Sequence, residues 1–532
     1  MSKDRIKQWG EVLENISVKS VKIIFAILMG FLSFGTAVST YRMPFDYEKE
    51  WLFEYPDSPL KNLAAAIAVL ILTFFVQKLF LHGSEEHKAK IVFRMALFSV
   101  IAVGILLTIW VTVSPIEPYW DQLQVYHTAL KFLKGDFSAI DTMFYYRMYV
   151  QQFGLILLES LLLNIWQSYQ IIQYLNVLFI CMIIFLLYRI ADHIFHDQTV
   201  DFICLAETVL FLPMHLYVTY VYGDICSVAL SLAAVWGVIK WEEKGKIHDF
   251  LLALFSAIVA TLARKNTLIP LIAILIVCVI IFLKSLKCKS LIFGIILLII
   301  PLFSTNAVIW GYEMRSGKEI GNGMPAESWI ATGMREQYGG AGTFDWYGES
   351  LWAQSPGQSP SEREEYVREI SNEYIVQRLE EFRQNPKAMW EFYRYKILEQ
   401  WGEPSYTSFT MTGKKATDVG SALTNAVYSE AVFDYACRIF NYFQFTVYFF
   451  AFCYAFISLR QKEDIKNVLL LIAVIGGFLF SVLWEAKGRY VIPYVVFLFP
   501  YAACGICKVQ SGIYKQSVLL YHMLQKKLLK TI

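Results

Sequence analysis

"VFRMALFSVIAVGILLTIWVTVS" at residues 92–114 leads almost directly into "EPYWDQLQVYHTALKFLKGD" at 117–136, and the reading of the first stretch decides the fold. It has the length and apolar composition of a helix that crosses a bilayer, which takes about 20 such residues. The second stretch changes character. Trp120, Leu123, Tyr126/His127, Leu130 and Leu133 recur at three- and four-residue intervals. That spacing predicts an amphipathic helix over 119–134, lying on the membrane surface. Asp121 opens it. An acid in a first helical turn is favoured by the helix dipole. A carboxylate at the water–lipid boundary is also where a lipid-borne substrate would meet a water-soluble hydroxyl, and both readings stay open.

The rest of the chain extends the membrane reading. Of 532 residues, 56% are hydrophobic and 17% charged, and the mean hydropathy is +0.45, outside the range of soluble domains. Apolar stretches long enough to cross lie at 22–41, 60–81, 92–114, 170–189, 201–221, 225–240, 248–263, 265–283, 289–311, 432–458, 465–483 and 488–507. A shorter one, 150–165, carries Gln151, Gln152 and Glu159 and is expected to lie in the interface or dip into it. With twelve spans and a cytoplasmic N-terminus, Lys88/Lys90, Arg189, Lys244/Lys246, Lys284/Lys287/Lys289, Arg460/Lys462/Lys466 and Lys526/Lys527/Lys530 all fall inside, as the positive-inside rule requires. Counting 150–165 as a span would put the later clusters outside, among them the lysines of 284–289 and 460–466.

The fold class expected is therefore an all-α polytopic membrane protein of about twelve transmembrane helices. Interfacial helices are expected at 119–134 and 150–165, and a mainly helical external insertion at 312–431. The insertion divides an N-terminal bundle, 1–311 with its external loop 115–169, from a C-terminal bundle and tail, 432–532. Both termini are expected in the cytoplasm of a multi-pass cell-membrane protein. Within the insertion, helical periodicity should break at Pro386, and Ser359 or Ser361 should cap the first long helix. The insertion has no cysteine and no N-x-S/T sequon, which points to a bacterial surface over a reticulum lumen. A net charge of +2 without a long basic block sets nucleic acid aside. The C-G-I-C at 504–507 reads as thiols of an apolar helix.

In that topology the anomalous charges share the external face, and ionisable groups beside hydrocarbon mark function by default. They are Asp121; Asp224 in the turn "YVYGDICS", flanked by Tyr217, Tyr220 and Tyr222; Arg264 and Lys265 in "TLARKNTLIP"; Glu485, Lys487 and Arg489 in "WEAKGRYVIP"; and Arg147 with Gln151/Gln152 in "YYRMYVQQFG". Each has a plainer reading as turn chemistry, snorkelling or anchoring. No GxGxxG or Walker loop is present to hold a soluble nucleotide.

The order of these motifs resembles the C-type membrane glycosyltransferases, which include the protein O-mannosyltransferases and the lipid A aminoarabinose transferases. The resemblance rests on Asp121 after an early span, Tyr149/Gln151/Gln152/Gly154, the Tyr222–Asp224 turn, the Arg264-Lys265-Asn266 turn and the late Glu485…Arg489-Tyr490…Pro493. Pro325, Trp329, Ile330 and Gly333, with Lys396 and Trp401, look similar to Gram-positive members. In two respects the chain departs from the family: Asp121-Gln122 stands where two acids are usual, and two extra N-terminal spans precede it.

The resemblance implies inverting sugar transfer, hexose or pentose, from a polyprenyl-phosphate carrier to an extracellular acceptor that is a glycopolymer, glycolipid or protein. It implies Asp121 as base, Asp224 orienting acceptor or base, and Arg264, Lys265, Arg489 and Tyr490 at the donor phosphate. Glu485, Gln151, Gln152 and Arg147 would support them. No cofactor is implied with certainty; a divalent cation sharing the phosphate stays open. The rival readings are a lipid-linked glycan flippase or transporter, a surface-polysaccharide polymerase, and a membrane scaffold.

Overall fold

The computed structural model describes residues 3–45, 52–286, 288–337, 340–357 and 359–528. Each of the twelve apolar stretches is helical over most of its length, the first passing into strand at Ser39. Among the described residues, ten helices are long and apolar enough to cross a membrane. The stretch 201–221 is two helices, Gln198–Leu210 and Leu212–Thr219, bent by 47° at the junction; counted as one span they make eleven. Pro213 at the start of the second piece explains the break, because proline removes a backbone donor and crowds the preceding turn. Ile247–Ala263 has 17 residues, or about 25 Å of helix against a hydrocarbon core of about 30 Å.

Local chemistry sets the ends. Ser58 and Ser84 cap Pro59–Phe80 and Glu85–Val113 with their side chains, and Gly245 closes Asp224–Lys244 in the left-handed conformation. Apolar side chains of Pro59–Phe80 and Glu85–Val113 are widely exposed, among them Ile71, Leu72, Phe75, Phe98 and Leu106. Exposure on this scale suits lipid and not water.

Packing joins the two ends of the chain. The first helix, Lys3–Val38, lies against Glu430–Ser458, which in turn packs on Ile492–Leu528. The helix expected to belong to the N-terminal bundle thus sits among the C-terminal ones. At one helix end, buried Lys22 ties them together through Glu463 at 3.0 Å and the Ser458 carbonyl at 3.0 Å.

Of the two short helices, the first keeps its expected apolar stripe outward and the second departs from expectation. Asp121–Leu133 buries Gln122, Val125, Thr128, Ala129 and Phe132. The stripe of Trp120, Leu123, Tyr126/His127, Leu130 and Leu133 is the partly exposed side, with Leu123 at 37%. The buried face is the smaller, mixed one because it meets the helix Gln152–Leu163. That second helix does not lie at the surface: Phe153, Ile156, Glu159 and Leu163 are fully enclosed between Asp121–Leu133, Ile247–Ala263 and Cys288–Ser316. Gly154 allows this, since a side chain there would come within 2.6 Å of the Leu262 carbonyl.

The insertion is mainly helical, with Pro360–Gln384 and Pro386–Trp401 as its long members. Ser359 and Glu362 form a reciprocal cap at the start of the first. The break comes at Asn385, whose side chain caps the next helix. An unforeseen antiparallel pair joins Ser39–Arg42 to Phe53–Pro56; residues 46–51 between them lie outside the described residues.

Candidate active site

A cavity of about 990 Å³ opens where the helix junctions meet the insertion. Asp121, Gln151, Gln152, Arg264, Lys265, Glu485, Arg489 and Tyr490 all line it, so residues far apart in sequence converge.

One wall is cationic. Gly223 packs so close to Ala263 that any side chain would strike its carbonyl, and this contact sets Asp224 beside Arg264, at 3.3 Å. Arg264 lies over the rings of Tyr222 and Tyr490, at 5.3 and 5.4 Å. Arg489 shares the same two rings, at 5.5 and 5.4 Å, and donates to the Tyr220 hydroxyl and Met411 sulfur. Ring faces attract guanidinium charge and fix its plane. Arg489 is 6% exposed, and its Nε is buried without a partner, a costly arrangement. Lys265 is exposed into the cavity, and its side chain makes no hydrogen bond or ion pair among the described residues.

The floor carries the predicted base. Trp120 enters the helix with φ 48 and ψ −129, and Asp121 follows as its first residue. Gln122 anchors that turn, accepting from the Val221 amide at 2.9 Å and donating to the Met411 carbonyl. Gln152 donates to Tyr222, behind the cations.

The opposite wall comes from the insertion: Met324, Trp329, Phe344, Trp346 and Glu349. Backbone bonds stitch it down, Met324 amide to Met148 carbonyl at 2.8 Å and Ala486 amide to Gly342 carbonyl at 2.7 Å. Buried Lys396 adds donations to the Gly333 carbonyl and, at 2.9 Å, to the Val482 carbonyl. Glu349 accepts from the Tyr149 hydroxyl. Burial, then the charges of Glu485 and Asp121, push its carboxyl up to about 7.

Two sequence candidates fall elsewhere. Asp224, 8% exposed, does not line the cavity but stands behind Arg264, with its second oxygen unpartnered. Its carboxylate faces Arg264 and not the cavity. Arg147 turns away to Asp141 at 3.7 Å and the Ile140 carbonyl. Sequence reasoning missed Glu349, Trp346 and Lys414, which sit in stretches that read as an ordinary soluble helical segment. Among the described residues no group of three or more His, Cys, Asp or Glu is arranged to hold a metal ion.

Charge and strain both concentrate here. Five cations line the cavity (Arg264, Lys265, Lys414, Lys487, Arg489) against three carboxylates (Asp121, Glu349, Glu485). Among the described residues, the non-glycine residues with positive φ are Trp120, His196, Leu286, Trp346, Tyr406 and Thr407. Trp120, Trp346 and Thr407 line the cavity, and Tyr406 adjoins it. Such conformations cost of order 1–3 kcal/mol each and gather at functional sites. The site could bind an anion and, beside it, deprotonate a hydroxyl. No family model, curated protein or solved structure matches this chain.

Proposed function

We propose that the protein is a glycosyltransferase that moves a sugar from a polyprenyl-phosphate carrier to a hydroxyl of an acceptor at the outer face of the cell membrane. The observation that carries this reading is the juxtaposition of Asp121 with Arg264, Lys265 and Arg489 in one cavity. Such a site suits a lipid phosphate next to a reacting hydroxyl. In the topology proposed, twelve spans with Ile247–Ala263 and the bent pair among them, both termini are cytoplasmic and the cavity faces outward.

The reaction is a single displacement with inversion. The acceptor oxygen attacks the anomeric carbon, Asp121 takes the hydroxyl proton, and the sugar–phosphate bond breaks with its electron pair passing to the phosphate. That leaving group is a stable anion, so no general acid is needed, unlike hydrolysis of a glycoside. Arg264, Lys265 and Arg489 stabilise the charge as it grows, and the surplus of cations over carboxylates matches it in sign. A base in this role contributes typically ~10²–10⁴-fold. A transporter would be expected to place its polar residues near mid-bilayer, whereas these sit at helix junctions.

The test is release of label from radiolabelled polyprenyl-phosphate sugars by purified protein in lipid, wild type against Asp121→Asn. Transfer that the folded variant loses supports the reading. Movement of labelled lipid across the bilayer without transfer by the wild type replaces it with a flippase.

A further inference from the structure

The transfer reading gives the cationic wall a ligand and leaves the insertion's wall without one. That wall is built mainly of flat aromatic surface around one carboxylate. Glu349 lies in Tyr347–Gln354, which the chain enters through left-handed Trp346, φ 60. Its carboxylate accepts from Tyr149, and the Tyr149 ring packs on Trp329 at 5.6 Å. Trp329 in turn stacks on Trp484, at 6.1 Å with planes 17° apart. Trp346 is 66% exposed and meets Phe344 edge-on at 4.9 Å. All of these residues line the cavity.

A sugar ring or polyol chain presents C–H faces bordered by hydroxyls. Aromatic planes bury the faces, and a carboxylate accepts the hydroxyls through charge-assisted hydrogen bonds, which are shorter and stronger than neutral ones. A peptide asks for something else: a strand edge, an apolar groove or a nest of backbone amides. We infer that Glu349, backed by Tyr149 and the Trp329–Trp484 pair, forms an acceptor subsite for a polyhydroxylated ligand, sugar or polyol, and selects it over a peptide. No bond is made or broken at Glu349. It touches the acceptor, holds one hydroxyl and leaves another for Asp121. The subsite's place in a reaction rests on the transfer reading; its binding does not.

Binding can therefore be tested without turnover, on the full chain in lipid nanodiscs, through the fluorescence of Trp120, Trp329, Trp346 and Trp484 in the cavity lining. The probes are maltotriose, ribitol, a serine-rich peptide and polyprenyl phosphate. Maltotriose or ribitol should change the wild-type signal. At about pH 8.5, where a carboxyl raised to about 7 is ionised, Glu349→Gln should weaken that binding by about tenfold, the size expected for one hydrogen bond to a charged group, and Tyr149→Phe should weaken it less. Polyprenyl phosphate affinity should stay within about twofold in both variants, which a collapsed cavity would not allow.

Equal carbohydrate binding by wild type and Glu349→Gln overturns the inference, as does a response to the peptide alone, or loss of carbohydrate and lipid phosphate together. Carbohydrate binding that depends on Glu349 in a protein that transfers no sugar leaves the subsite standing and removes the transfer reading.

Discussion

The two walls of the cavity are built by opposite means. The cationic wall comes from short turns between apolar helices, where Arg264 and Arg489 are held by neighbouring aromatics and by Asp224. The facing wall comes from a long polar insertion fastened by backbone bonds to residues 148 and 486. One wall positions charge by burying it; the other positions aromatic planes by tying down a loop. A site so divided lets the fixed half serve a constant ligand while the insertion varies the partner.

The largest effect that would break this division is at its floor. Asp121→Asn is expected to lower transfer by about 10²–10⁴-fold with polyprenyl phosphate binding unchanged, read from initial rates and lipid binding side by side. A loss of binding equal to the loss of rate would move Asp121 into the phosphate site. Next, Arg264→Gln strands Asp224 without its cation, and breaking a buried pair costs about 3–5 kcal/mol. Adding Asp224→Asn should restore most of the melting temperature without restoring phosphate binding. If the double variant binds like wild type, Arg264 is only structural.

On the insertion side, Glu349 carries a stability signature with a definite sign. Its carboxyl is raised from 4.5 to about 7 in the folded chain, so the folded state holds more protons than the unfolded between those values. Stability then falls as pH climbs through that window. Glu349→Gln has no such titration and should gain on wild type by about 1–3 kcal/mol from pH 4.5 to 7, read from melting curves. A constant difference across pH would remove the buried acid. Smallest is Gly154→Ala, where the new methyl meets the Leu262 carbonyl at 2.6 Å. Overpacking of this kind costs about 1–3 kcal/mol and should disturb phosphate binding before acceptor binding.

The cationic wall was legible in the sequence because a charge beside hydrocarbon stands out without any knowledge of the fold. Arg264, Lys265, Glu485, Arg489, Gln151 and Gln152 all reach the cavity for that reason. What the pattern hides is who stands in front. Asp224 looks like Asp121 in one dimension, and only the contact of Gly223 with Ala263 shows that it faces an arginine. Glu349 was invisible because an acid in a polar helical segment is the ordinary case. The helical stretches were readable throughout. The bend at Phe211 and the 17 residues of Ile247–Ala263 show why counting them as spans is harder. In Asp121–Leu133 the periodicity gave the helix and its exposed apolar stripe, but not the mixed face of Gln122, Val125, Thr128, Ala129 and Phe132 that packs on protein, because polar residues among them break the pattern.

The surplus of cations over carboxylates has a kinetic side. Under the transfer reading the donor is a phosphodiester and the spent carrier a phosphate monoester, which bears one more negative charge near neutral pH. A lining built to favour that extra charge as it develops also grips the product harder than the substrate. Turnover would then be paced by escape of the carrier lipid into the bilayer, and free polyprenyl phosphate would compete with its own glycosylated form.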